Sequence, residues 1–391
     1  MSEKVVVHGT CSKRFASVKE TFAANFDSGF EVGASFAATV DGKSVVDIWG
    51  GYADAAGTRP WERDTIVNLF SATKIMTALC AWILADRGQL DFDAPVAKYW
   101  PELARNGKDK ILVRHILSHS SGLSGFGEPV TVEILCNWGR TTAILASQKP
   151  FWTPPGKQSG YHGLTQGYLV GEVIRRITGK TVGTFFREEV AEPLKVDFHI
   201  GTGPEYDGRI AELVPPPVLK AGDPGFVAPE PGSVRALSTA NGPAAGLGMG
   251  NRVDWRRAEI PAANGHGNAR AMARVGAALA CGGTLDGVRL LGLSTIERAM
   301  EEQCIGNDLI LGDEIRWGLG VELNTKRRPI GPNARTFSWG GAGGSMLVVD
   351  LDARASWAYA MNRGSQGPHF KDTRNRALAE AFYAAMHRRE E

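Results

Sequence analysis

This chain of 391 residues lacks the features that mark several large classes of protein. Its five cysteines are widely spaced and form no C-x-x-C pair, so the sequence predicts reduced thiols and no zinc site. No apolar run approaches the roughly 18 residues of a membrane span, and residues 1–15 carry lysines without an apolar stretch. We therefore expect a cytoplasmic protein without a membrane partner, a bound metal or a cofactor.

Two further absences narrow the function. Lys and Arg total 44 against 42 Asp and Glu, and no basic run could follow a phosphate backbone, which argues against a nucleic-acid partner. The G-x-S-x-G motif is also missing, which argues against an α/β-hydrolase. A chain of this length is expected to form two lobes with a cleft between them.

Strand patterns are concentrated at the two ends of the chain. Glu31 to Val40 and Lys43 to Trp49 flank an Asp-Gly turn, which predicts a hairpin. Near the C-terminus, alternating apolar and polar residues predict strands at Arg316 to Leu323, Ser345 to Leu351 and Ser356 to Met361.

Helical patterns occupy both termini and most of the middle of the chain. They lie at Arg14–Asn25, Ile75–Leu84, Val113–Leu117, Thr131–Ser147, Leu164–Thr178, Val182–Val190, Asn268–Ala280 and Asp372–Arg388. Val214 to Gly267 is rich in Pro, Gly and Ala, and we expect it to cover a surface or line a cleft without a core of its own.

These patterns predict an α+β fold. The N- and C-terminal parts would form one antiparallel sheet flanked by terminal helices, and the middle would be inserted as an all-helical lobe. The corresponding division places residues 1–75 and 300–391 in a discontinuous α/β domain and residues 76–299 in a mainly helical domain.

Ser71 and Lys74 form the first candidate site. They stand three residues apart at the start of an apolar helix, so their side chains share one face. Ser71 has an alternative role as an N-cap, and a chain of this composition contains about one S-x-x-K by chance. Lys74, however, opposes the helix dipole and faces an apolar surface, and both effects favour a neutral amine. A neutral lysine beside a hydroxyl is a base beside a nucleophile.

The sequence around Ser71-Ala-Thr-Lys74 resembles the serine β-lactamase and penicillin-binding-protein superfamily, and most of all its family VIII carboxylesterases. Val113 to Leu123 is similar to the H-L-L-x-H-x-S-G-L segment of that superfamily. Esterase-like segments extend the resemblance over roughly positions 30 to 365. They lie at Asp47–Asp54, Arg59–Lys74, Gly160–Gly179 and Asn264–Arg270.

The resemblance implies two further elements. The tyrosine of the Y-x-N motif falls on Tyr161, which would relay the proton to the leaving group, although Gly163 replaces the asparagine. The K-T-G position reads Trp339-Gly340-Gly341, as in the esterases, and these residues would bind substrate. The amide of Ala342 would join that of Ser71 as an oxyanion hole.

Four histidines invite other interpretations. His115 and His119 have the spacing of metal ligands on a helix, but the glutamate of H-E-x-x-H is missing. His162 and His266 do not follow a candidate serine in the order that a hydrolase triad requires. We expect none of them to bind a metal or act as a catalytic base.

The sequence thus predicts a serine carboxylesterase that hydrolyses short-chain esters through an acyl-enzyme on Ser71, with a small-molecule ester as its partner. Two alternatives stay open. The same site could serve an acyltransferase or a weak β-lactamase, or the fold could belong to a non-catalytic interaction protein. The oligomeric state is left open by the sequence.

Overall fold

The computed structural model describes residues 5–217, 228–243, 246–365 and 372–387. Within them the strands are β1 (Val7–Cys11), β2 (Gly33–Val40), β3 (Lys43–Gly51), β4 (Val67–Asn68), β5 (Phe198–Ile200), β6 (Gly265–Gly267), β7 (Thr284–Leu285), β8 (Val288–Arg289), β9 (Cys304–Asn307), β10 (Glu314–Trp317), β11 (Glu322–Leu323), β12 (Thr336–Gly340), β13 (Met346–Asp350) and β14 (Ala355–Met361).

The α-helices are α1 (Ala16–Asp27), α2 (Thr73–Asp86), α3 (Val113–Leu117), α4 (Val132–Leu135), α5 (Trp138–Ser147), α6 (Thr165–Thr178), α7 (Val182–Phe186), α8 (Glu192–Leu194), α9 (Val234–Ala240), α10 (Val253–Arg257), α11 (Ala269–Ala280), α12 (Leu293–Ala299) and α13 (Thr373–His387). Short 3₁₀ helices lie at Lys13–Phe15, Val96–Lys98, Pro101–Gly107, Pro204–Arg209 and Leu247–Asn251, and a π-helix at Arg187–Ala191.

One antiparallel sheet joins the two ends of the chain. Its strand order is β1-β3-β2-β14-β13-β12-β11-β10-β9, so the first and last strands of the sequence pair at its centre. The hairpin between β2 and β3 turns at Asp41 and Gly42, whose φ values of 49° and 75° suit an Asp-Gly turn. The predicted α+β fold, with its sheet built from both termini, is confirmed.

Helices cover both faces of this sheet. On one face α1 and α13 bury an aromatic core in which Phe22 and Phe382 meet Phe36 and Trp357 of the sheet. On the other face α11 lies across β2, β13 and β14. Helix α11 thus packs on the sheet, although its residues fall within 76–299, the range predicted for the helical domain. The division of the chain into two domains stays a prediction.

The remaining helices form a second layer beside α2, which is buried along almost its whole length. Helices α6, α7 and α12 pack against it, α3 packs on α6, and the Trp82 indole of α2 donates to the carbonyl of Leu319 at 2.9 Å. This burial fixes the start of α2, where Ser71 and Lys74 lie. Within the described ranges, no helix is long and apolar enough to cross a membrane.

Two predicted elements are interrupted in the structure. The helix expected over Thr131–Ser147 is split into α4 and α5, because Asn137 leaves the helix and accepts the N–H of Arg140 as the cap of the second one. The strand expected over Arg316–Leu323 turns back on itself at Gly318 to Gly320, so that β10 and β11 pair with each other.

The segment Val214–Gly267 was expected to cover a surface or line a cleft without a core of its own, and its last part packs into the main core of the molecule. Trp255 and Ile260 are completely buried, and β6 lies between β4 and β5. Residues 218–227 and 244–245 of this segment lie outside the described residues, as does Arg388 at the end of the predicted terminal helix.

Candidate active site

Ser71 lies in the turn that leads from β4 into α2. Phe70 before it has a φ of 44°, a left-handed conformation that costs a non-glycine residue about 1–3 kcal/mol. The Thr73 hydroxyl donates to the Phe70 carbonyl at 2.5 Å and holds this conformation. As a result Ser71 stays partly exposed, whereas the residues that follow it are buried.

The Lys74 side chain is 1% exposed and ends beside the serine. Its Nζ lies 3.1 Å from Ser71 Oγ, 2.8 Å from the Gly163 carbonyl and 2.9 Å from the Ala262 carbonyl. Burial lowers the pKa of Lys74 well below its usual value. Burial is the one cause of this shift, and no carboxylate among the described residues opposes it.

Tyr161 approaches the serine from the other side. Its hydroxyl donates to Ser71 Oγ at 2.6 Å, and its ring lies 4.8 Å from Lys74 Nζ. Burial raises the pKa of Tyr161, while the hydrogen bonds with Ser71 and Trp339 act in the opposite direction. The phenol is therefore protonated at neutral pH and can donate a proton.

Trp339 is 1% exposed, so little of its ring is available as a substrate surface. Its indole Nε1 donates to the Tyr161 hydroxyl at 3.3 Å. Its ring also packs against Trp317 with centroids 4.7 Å apart. In this structure Trp339 therefore contacts the site through Tyr161. Its indole is a neutral hydrogen-bond donor at the position where the K-T-G motif would place the ammonium group of a lysine.

The glycine-rich segment after β12 lies beside the turn that carries Ser71. A methyl group at Gly341 would collide with the Leu69 carbonyl, so only glycine permits this approach. Ser345 donates to the same Leu69 carbonyl at 2.8 Å. Gly340 ends β12, and the turn that follows is buried except for Ala342, which is exposed. Within the described residues, neither the Ser71 amide nor the Ala342 amide donates a backbone hydrogen bond.

The four histidines are accounted for by other contacts. His119 Nδ1 accepts the N–H of His162 at 3.1 Å, and His162 Nδ1 donates to the Gly160 carbonyl at 2.6 Å. Burial lowers the pKa of His162 to about 3 and that of His115 to about 4. His266 is completely buried, and its Nδ1 donates to the Asn264 carbonyl at 2.7 Å. These rings are neutral, and none contacts Ser71.

Sequence reasoning missed several groups that contact this cluster. The carbonyls of Gly163 and Ala262 hold Lys74, but backbone acceptors carry no sequence signal. Asp308 is completely buried and accepts the backbone N–H of Tyr161 at 3.0 Å. The only available signal was an aspartate directly after a short strand, a common turn residue.

A serine hydroxyl between a buried lysine and a tyrosine, at the start of a helix beside an antiparallel sheet, is the arrangement of a serine hydrolase. The chain belongs to the beta-lactamase family, since the family model described as Beta-lactamase matches residues 19–381. It is a hydrolase of the esterase and beta-lactamase type.

Individual relatives agree with this assignment. The chain is 35% identical over 368 residues to the esterase/beta-lactamase LipL of Mycobacterium tuberculosis, a match that covers 91% of this chain and 83% of LipL. It is 40% identical to a family VIII carboxylesterase of known crystal structure, with a TM-score of 0.90 over 97% of this chain and 100% of that one. A penicillin-binding protein homologue from Caulobacter crescentus gives 41% identity and the same TM-score and coverage.

Proposed function

We propose that this protein hydrolyses short-chain carboxylic esters through an acyl-enzyme on Ser71, with Lys74 as the base and Tyr161 as the acid. The observation that carries the proposal is the convergence of Lys74 Nζ at 3.1 Å and the Tyr161 hydroxyl at 2.6 Å on one serine oxygen. These distances suit proton transfer on both sides of the nucleophile.

The lysine is prepared for this role by its two backbone acceptors. A neutral amine has two hydrogens and one lone pair. The carbonyls of Gly163 and Ala262 take the hydrogens, which leaves the lone pair directed at Ser71 Oγ. The hydrogen bonds then run in one direction, from the Trp339 indole to Tyr161, from Tyr161 to Ser71, and from the Ser71 hydroxyl to Lys74.

The reaction follows this order. Ser71 Oγ attacks the ester carbonyl carbon as its proton moves to Lys74, and the amides of Ser71 and Ala342 receive the oxyanion. Tyr161 gives its proton to the departing alkoxide, and the Lys74 ammonium restores it. Water then attacks the acyl-enzyme, passes a proton to this pair, and releases the acid while Ser71 regains its hydrogen.

A preference for short, uncharged acyl groups is part of the proposal. The Tyr161 ring beside Ser71 is backed by two indoles, those of Trp317 and Trp339, with ring centroids 6.3 Å and 5.2 Å from its own, which we take to limit the room for a long acyl chain. Acetyl and butyryl esters should therefore be hydrolysed faster than dodecanoyl esters. Acyl transfer to an alcohol or amine instead of water is the alternative reaction for the same site, and it is distinguished by whether the alcohol or amine outcompetes water for the acyl group.

The nucleophile is tested with Ser71→Ala and a matched control, Ser294→Ala, which alters an exposed serine on α12. We expect Ser71→Ala to lose p-nitrophenyl butyrate hydrolysis by several powers of ten and to resist labelling by a phosphonate in intact-protein mass spectrometry. The Ser294→Ala protein should behave as the parent does. Near-parental turnover by Ser71→Ala would contradict the proposal.

A further inference from the structure

Tyr161 is attached to a part of the chain that sequence reasoning did not connect with the site. Asp308 follows the edge strand β9, and its Oδ1 accepts three backbone N–H groups at 3.0 Å, those of Tyr161, Ile310 and Leu311. Two of these bonds close a local turn. The third crosses 147 residues of sequence to the residue that contacts Ser71.

A second bond runs beside the first. The Leu309 N–H donates to the Ser159 carbonyl at 2.9 Å, so the turn after β9 is bonded to the backbone on two sides of Gly160. The turn itself is closed by the Gly312 N–H, which donates to the Asp308 carbonyl at 2.8 Å. The backbone of Tyr161 is thereby fixed to a sheet strand and not only to its own loop.

From the opposite side, His119 holds the same segment. Its carbonyl accepts the Gly160 N–H at 2.9 Å, and its Nδ1 accepts the N–H of His162. Tyr161 lies between these two bonds, and its own N–H is the one that Asp308 accepts. Without Asp308 this N–H would be left without its acceptor, and the phenol could rotate away from Ser71.

We propose that Asp308 is a positioning residue for the reaction, which holds the Tyr161 backbone so that the phenol stays in contact with Ser71 Oγ. The inference rests on the proposed role of Tyr161 as the acid. Its consequence concerns the leaving group. An alkoxide needs a proton in order to leave, whereas nitrophenolate leaves without one, so displacement of Tyr161 penalises alkyl esters selectively.

The substitution Asp308→Ser should remove the bond to the Tyr161 N–H and keep the two bonds of the local turn. A serine hydroxyl can accept the N–H groups two and three residues on, but it is one atom too short to reach Tyr161. Asp308→Asn keeps an oxygen in the place of Oδ1. The matched control is Asp86→Ser, because Asp86 also accepts a distant backbone N–H, that of Gly292 at 2.8 Å, at the far end of α2.

The readout is kcat/KM for ethyl butyrate divided by that for p-nitrophenyl butyrate, with thermal melts of every variant. We expect Asp308→Ser to lower this ratio by about tenfold or more, within the range that general acid catalysis supplies. Asp308→Asn should stay within a few-fold of the parent, and Asp86→Ser should lose stability without a change in the ratio. In a Tyr161→Phe background, Asp308→Ser should lower the ratio no further.

Three results would overturn the inference: equal losses on both esters for Asp308→Ser, an Asn variant as impaired as the Ser variant, or additive losses with Tyr161→Phe. Failure of the proposed function looks different. In that case Tyr161→Phe alone would leave the ratio unchanged. A selective loss in Tyr161→Phe without one in Asp308→Ser rejects only the role of Asp308.

Discussion

Lys74 shows how one residue can be costly for stability and useful for chemistry. A buried amine that forms no ion pair among the described residues is stable only when neutral, and its backbone acceptors then fix the direction of the lone pair. An arginine at this position would stay protonated and could not accept the proton of Ser71. Charge alone therefore does not substitute for Lys74.

We accordingly expect Lys74→Arg to be nearly as damaging as Lys74→Ala, with losses of about 10²–10⁴ in kcat. Burial lowers the pKa of Lys74, and the neutral form is the reactive one, so parental activity should rise with pH through that pKa and be lost below it. The measurement is kcat for p-nitrophenyl butyrate across pH for all three proteins. Substantial activity in Lys74→Arg would exclude Lys74 as the base.

The residues of the site differ in how far the sequence could predict them. Ser71 and Lys74 share one helical turn, so their contact follows from spacing alone. Tyr161 needed the resemblance to a family, because 90 residues separate it from Ser71. Asp308 could not be found, since its role depends on which backbone N–H lies opposite it after folding.

At the level of elements, the turn between β12 and β13 is held by the start of α13. Arg374 Nη2 donates to the Gly343 carbonyl at 2.8 Å, and Asn375 donates to the Gly344 carbonyl at 3.1 Å. Arg374 is itself buried with two carboxylates, those of Glu31 and Asp372. The C-terminal helix thus fixes the turn that carries the Ala342 amide.

Gly344→Ala tests this arrangement. Gly344 has a φ of 123°, and a methyl group there would collide with Asp372 Oδ2, so the turn must shift. We expect a loss of stability of more than about 1–3 kcal/mol in urea unfolding, together with a fall in kcat larger than any change in KM.

The matched control is Gly179→Ala, at the left-handed end of α6. Its φ is 72° and its methyl group would meet open space, so it isolates the backbone strain. It should lose about 1 kcal/mol and keep parental kcat. If Gly344→Ala also keeps parental kcat and loses only about 1 kcal/mol of stability, the turn does not position the Ala342 amide for catalysis.

Elements were predictable where a local pattern decides them. The hairpin at Asp41-Gly42 and the helices α3, α6 and α11 lie within one or two residues of expectation. The break at Asn137 was missed because the apolar period continues through it, and only the cap identifies two helices. The buried end of Val214–Gly267 was missed because its glycines and prolines resemble a surface loop, although tertiary packing covers them.

At the scale of the whole molecule, Lys74 is the one basic side chain bonded to Ser71 among the described residues, and Arg270 is paired elsewhere. Arg270 donates to Asp47 at 2.6 Å and to the Arg63 carbonyl at 3.1 Å, on the β3 side of the sheet. Arg363 is exposed, and its carbonyl accepts from Arg374. The near balance of 44 basic and 42 acidic residues adds no strong field of either sign.

These charges predict the substrate preference. A β-lactam presents a carboxylate, and a buried charge without its partner costs several kcal/mol. At the K-T-G position Trp339 supplies an indole N–H, which is donated to Tyr161, and burial disfavours the ammonium form of Lys74. Each 1.4 kcal/mol or so is a factor of ten in kcat/KM, so nitrocefin should be hydrolysed orders of magnitude less efficiently than p-nitrophenyl butyrate. Both substrates are compared on one preparation, with Ser71→Ala as the blank. Comparable values would make the protein a β-lactamase whose carboxylate anchor lies outside the residues named above.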